Sequence, residues 1–106
     1  MQLSALDRAV ALVEQFRKID PELPMQVALT LLIVAKRPGI NLKDIAAATS
    51  TAKSSVSRNI ARLSSEHGDG LVTYSEDPRD RRNKLVQLTP KGSLFVAAIL
   101  AGVAGQ

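Results

Sequence analysis

The sequence predicts a mostly α-helical domain that carries a small β-hairpin, and two stretches carry that expectation. The first is Glu76-Asp77-Pro78-Arg79-Asp80-Arg81-Arg82-Asn83-Lys84, a charged loop between two β-like runs, Leu71 to Ser75 and Leu85 to Thr89. The second is Thr51 to Leu63 just upstream, a helical pattern with one apolar and one polar side. A short polar helix followed by an arginine-tipped hairpin is the layout of a winged helix-turn-helix. The expected inventory is five helices plus a two-stranded wing.

Leu6, Val10, Val13 and Phe16 recur at i, i+4, i+7 and i+10, which predicts a first helix over about 3–19. Asp20-Pro21-Glu22-Leu23-Pro24 breaks it, and Pro24 suits the first turn of the next helix. Met25 to Lys36 is apolar on nearly every side, as expected of a central helix. Arg37-Pro38-Gly39 stops it. Asn41 can cap a short third helix, with Asp44 three residues on and Leu42, Ile45 and Ala46 pointing inward. Thr49-Ser50-Thr51 supplies a turn and a cap for the fourth helix, which is expected to run to about Glu66. Its buried stripe is Val56, Ile60 and Leu63. Gly68-Asp69-Gly70 then turns the chain into the hairpin. Beyond it, Thr89 can cap and Pro90 can open a last helix, to about Val103.

At 106 residues the chain fits a single domain spanning 1–106. The net charge is +4, compatible with a nucleic-acid partner without requiring one. Its placement says more. Residues 50–92 hold eight basic and five acidic side chains, a balance of +3, whereas residues 1–49 hold six and five, a balance of +1. There is no cysteine and one histidine, His67. Disulfides, thiolate metal sites and histidine-cluster metal sites are excluded, and no cofactor is expected. His67, at a helix end, reads as a capping or surface residue. The start lacks a secretory pattern, and the apolar tail from Leu94 to Ala104 is too short to cross a bilayer, so a cytoplasmic protein is expected. No phosphate-binding glycine loop or paired carboxylates appear, so the chain does not read as an enzyme.

The fourth helix presents Lys53, Ser54, Ser55, Ser57, Arg58 and Arg62 outside its apolar stripe. Small polar residues allow a helix to sit deep in a major groove, and arginine or lysine can reach base edges and phosphates. The plain alternative is an amphipathic helix with a solvated polar face. Serine is a poor former of exposed helix, which tilts the reading towards contact. At the hairpin tip, Arg79, Asp80, Arg81, Arg82 and Lys84 are the candidates. Asp80 can pair with Arg82 and hold its side chain in one orientation. Arginine suits a narrow minor groove because the potential there is negative. A solvated charged loop is the alternative. Tyr74 fits either a phosphate contact or packing on the wing.

The stretch Asp77-Pro78-Arg79-Asp80-Arg81-Arg82-Asn83-Lys84-Leu85-Val86-Gln87-Leu88-Thr89-Pro90-Lys91-Gly92 resembles the wing signature of MarR-type transcriptional regulators, in which a D-x-R core precedes an apolar strand, Leu-Thr and a Gly. Val56-Ser57-Arg58 with Leu63 resembles that family's recognition helix. Leu31-Leu32 through Arg37-Pro38-Gly39 resembles its second helix and the following turn. The resemblance implies a DNA-binding homodimer on an inverted-repeat operator, acting mostly as a repressor, with the terminal helices (about 3–19 and 90–104) as the dimer interface. It places Asp80 and Arg82 at the family's D-x-R pair. The chain stops where the family's long final helix would lengthen, so the family's phenolic-ligand pocket is expected to be incomplete, and effector control stays open. Sensing through cysteine is excluded. The rival reading is a winged-helix module whose basic wing binds an acidic surface on a transcription or regulatory protein.

Overall fold

In the computed structural model, residues 4–64 and 68–105 are described. They form α1 (Ala5–Arg17), α2 (Met25–Lys36), β1 (Ile40–Asn41), α3 (Leu42–Thr49), α4 (Lys53–Leu63), β2 (Val72–Asp77), β3 (Asp80–Leu88) and α5 (Pro90–Val103). Five helices in this order match the expectation.

The helix starts show why the boundaries fall where they do. Ser4 and Asp7 form a reciprocal capping box on α1. The Asn41 side chain accepts from the Asp44 N–H at 2.8 Å. Thr89 accepts from the Gly92 N–H at 3.0 Å, with Pro90 in the first turn of α5. Pro24 sits one residue earlier than expected, at the cap of α2, where its carbonyl accepts from Val27 and Ala28. A proline is tolerated at either place because no N–H is needed there.

The wing differs from expectation in two ways. The sheet has three strands in the order β1-β3-β2, not two. Ile40 pairs with Val86 and Asn41 with Leu85, antiparallel. Gly39, at φ +83°, makes the turn that lets its own N–H reach the Val86 carbonyl at 2.9 Å. A two-residue strand with one buried side chain has no alternation to detect, which is why it escaped the sequence reading. In addition, the charged stretch is mostly strand. β2 and β3 continue to a tight Asp77-Pro78-Arg79-Asp80 turn. Pairing stays in register from Val72↔Leu88 to Glu76↔Lys84, then jumps to Asp77↔Asp80. The jump leaves Arg81, Arg82 and Asn83 as an insertion on β3. Such a bulge bends a strand and re-aims its side chains.

The fourth helix also departs at both ends. Thr49 Oγ1 is taken by the Ile45 carbonyl and by Thr51 Oγ1, both at 2.8 Å, and Ser50 turns left-handed at φ 54°. The cap position falls to Ala52, which has no side-chain acceptor. At the far end the helix stops at Leu63, because Ser64 is extended and bridges to Val72. Glu66 and His67 lie outside the described residues.

The core joins Val27, Leu31 and Val34 of α2 to Ile45, Val56, Ile60, Leu63, Val72, Val86 and Ile99, all nearly solvent-free. The all-round apolar α2 is therefore central. The predicted stripe on α4 is buried, with Asn59 beside it; among the described residues its Nδ2 has no hydrogen-bond partner. α1 packs on α5, with Phe16 meeting Phe95 edge-on at 5.9 Å. Leu6, Val10 and Val13 of α1 stay exposed, as do Leu94, Leu100 and Val103 of α5. No helix among the described residues is long and apolar enough to cross a membrane.

Candidate nucleic-acid interface

The exposed face of α4 carries Lys53, Ser54, Ser57 and Arg58. Arg58 donates through Nη2 to Ser55 Oγ at 3.3 Å, so half-buried Ser55 anchors it one turn back. α4 has no acidic residue in its first turn and no side-chain cap. That end offers backbone N–H groups and positive potential to an anion.

Arg62 is placed differently from the other α4 candidates. It is half-buried, and its guanidinium donates to the Asp20 carboxylate in the α1–α2 connection. The Glu22 N–H, at 2.8 Å, and then Arg62 hold the Asp20 carboxyl below its usual range. The structure thus ties Arg62 to the fold of its own chain.

At the wing tip, Asp77 Oδ1 accepts from the Arg79 N–H at 2.9 Å, a side-chain turn that sets the reversal. Asp80 Oδ1 accepts from both Nε and N–H of Arg82, at 3.2 and 3.1 Å. Those two hydrogen bonds, with help from the charge on Lys53, keep the Asp80 carboxyl below its ordinary range. Within the guanidinium the bond to Asp80 is made by Nε, and the Arg82 side chain is 91% exposed. Arg79 is 95% exposed. Arg81 is exposed as well. Lys84 turns back, with Nζ 4.3 Å from the Tyr74 ring centroid, a cation–π contact. The Tyr74 ring thus packs under Lys84 on the wing.

The two candidate groups meet. Lys53 of α4 and Asp80, Arg82 and Asn83 of β3 line one depression of about 320 Å³, together with Lys43 of α3. A second hollow, about 160 Å³, brings Ser57 beside Tyr74 and Lys84. Lys43 was not among the residues picked from the sequence. Its signal was present, since it is a cation in the first turn of a helix, where the dipole disfavours one. Separately, an apolar groove of about 270 Å³ runs between α1 and α2, lined by Leu12, Phe16, Leu23 and Leu29, with Arg17 beside them.

The MarR family model matches residues 22–83, from α2 through the wing tip. The transcriptional regulator HosA of Escherichia coli O111:H- is 29% identical over 80 residues, covering 76% of this chain and 57% of HosA. The crystal structure of MarR superposes with a TM-score of 0.63 at 28% identity, over 74% of this chain and 50% of that one. BpsR of Bordetella bronchiseptica, a protein whose DNA binding is regulated by 6-hydroxynicotinic acid, is 27% identical with a TM-score of 0.66, over 92% of this chain and 73% of BpsR. The chain spans a little over half the length of HosA and half that of MarR. With the helix-turn-helix, β2 and the wing tip inside the matched span, the chain belongs to the MarR family of transcriptional regulators.

Proposed function

We propose that this chain is a sequence-specific duplex-DNA-binding regulator, acting as a dimeric repressor on an inverted repeat. The observation that carries the reading is the shared depression of α4 and the wing, where Lys53 and Arg82 come together beside the serine face of α4. α4 enters a major groove, with Ser54, Ser57 and Arg58 towards base edges. Arg82, fixed through Nε by Asp80, enters the adjoining minor groove. Arg79 and Arg81 meet flanking phosphates. Arg62, half-buried and paired with Asp20 in the α1–α2 connection, supports α4 from behind.

The dimer follows from the apolar faces that α1 and α5 leave uncovered, Leu6 and Leu94 each being 75% exposed. A two-fold dimer presents two copies of α4, so its operator repeats with opposite sense. The test is affinity selection of sheared source-genome DNA at ~150 mM salt, where purely electrostatic binding is weak. Enrichment of a short inverted repeat supports the reading. Folded protein that enriches no sequence overturns it.

A further inference from the structure

We propose that the depression between α3, α4 and the wing is the seat of one backbone phosphate group, with Lys43 as its outer cation and Lys53 as its inner one. The inference rests on the DNA-binding reading and adds a residue and a contact to it. In a duplex, one sugar-phosphate strand separates each major groove from the neighbouring minor groove. A protein with α4 in the first and Arg82 in the second must let that strand pass between helix and wing. The depression is the gap between those elements, and its wall is Lys43, Lys53, Asp80, Arg82 and Asn83.

The electrostatics of the wall suit an anion. Three cations face one carboxylate, and Asp80 is already engaged by Arg82. The acid next to Lys43 in sequence, Asp44, is drawn away to Arg37 at 3.7 Å. Lys43 and Lys53 both sit in the first turns of their helices, where a cation opposes the helix dipole and weakens the fold slightly. α4 has no acidic residue in that turn, and in α3 the only one is Asp44. Two misplaced cations from separate helices that line one hollow are accounted for by an anion held there.

The test uses a short random-sequence duplex, since a phosphate contact does not depend on base sequence. The slope of log K against log salt is measured for wild type, Lys43→Gln, Lys43→Arg and Lys36→Gln. Lys36 borders a different hollow, beside α5, and its loss lowers net charge equally. Lys43→Gln should flatten the slope by about 0.9 per subunit, the value of one phosphate contact. Lys43→Arg should keep the wild-type slope, and Lys36→Gln should change it little. Equal effects of Lys43→Gln and Lys36→Gln would reduce the contact to overall charge and overturn the seat, while leaving the DNA reading intact. Failure of wild type itself to bind duplex would sink both. Thermal unfolding of Lys43→Gln at or slightly above the wild-type temperature, expected from the unfavourable dipole position, separates loss of contact from loss of fold.

Discussion

Gly92→Ala should destabilise this protein strongly, although it places a better helix former inside α5. Gly92 lies against the segment that leads into β2. A Cβ built there would stand 2.0 Å from the Leu71 carbonyl oxygen and 2.9 Å from its carbon, where real contacts essentially never fall below 3.0 Å. Relief therefore needs a separation of about 1 Å between two backbones. That separation strains the Thr89 N–H to Leu71 carbonyl bond (3.0 Å) and the Thr89 hydroxyl to Gly70 carbonyl bond (2.6 Å). Two such bonds are together worth about 1–3 kcal/mol, and overpacking a close contact adds about 1–3. The helix-propensity gain of about 0.5–1 kcal/mol offsets part of this. The net expectation is a loss of about 2–4 kcal/mol, or roughly 8–30 °C in Tm for a domain of this size. Gly102→Ala is the internal control, since nothing lies within 4 Å of its Cβ position in the same helix. It should be neutral or stabilising by up to about 1 kcal/mol. Urea unfolding at fixed protomer concentration measures both. Gly92→Ala within about 0.5 kcal/mol of wild type would refute the close-approach argument, and equal losses in both variants would point to a general intolerance of α5.

Arg82→Ala should weaken operator binding by about 1–3 kcal/mol per site, read by fluorescence anisotropy, and unchanged affinity would remove the wing from the interface. Asp80→Asn should weaken binding less, because it frees the Arg82 side chain without deleting it; tighter binding would contradict the orienting role. The charge swap Asp20→Arg with Arg62→Asp should restore DNA affinity lost by Arg62→Asp alone, whereas no restoration would make Arg62 a DNA contact. Asp20 has a folded-state pKa below its unfolded value. Its stabilising contribution is therefore complete above the unfolded carboxylate range and lost as pH falls through the folded value, so Asp20→Asn should flatten the acid limb of an unfolding-against-pH curve. Leu94→Glu, at an exposed position of the protomer, should shift sedimentation towards monomer; an unaltered profile would move the dimer seam elsewhere.

Helix order was legible because each helix has its own periodicity and most have a recognisable start. Asn41 and Thr89 announced α3 and α5 through side chains that bond the next turn. The Asp80–Arg82 pairing was legible for the same reason, being a contact between residues two apart. What escaped the reading depends on partners far along the chain. β1 exists because Val86 and Leu85 are there to pair with it. The wing strands run through Asp80, Arg81, Arg82 and Asn83, which show no alternation, because the tight Asp77–Asp80 turn and a bulge hold them. Gly92 was readable as part of a signature, but its cause, the Leu71 carbonyl, lies about twenty residues upstream.

The same distinction divides the basic residues. Arg58 and Arg62 are four apart on α4 and look equivalent on a helical wheel. Arg58 donates to Ser55, one turn back, which is a neutral partner. Arg62 meets Asp20, forty-two residues away, and its charge is matched within the chain. Lys84 is likewise drawn onto Tyr74. Lys43, which no motif marked, faces the hollow shared by helix and wing. Position along the sequence therefore does not tell which cations have a partner within the chain. On the proposed reading, the cations offered to DNA in each subunit are Lys43, Lys53, Arg58, Arg79, Arg81 and Arg82. If Arg82 enters the minor groove and four or five others reach phosphates, a dimer should show a log–log salt slope of about −7 to −9. A slope near −3 would mean that most of these charges stay in solvent, and the interface would have to be rebuilt around fewer contacts.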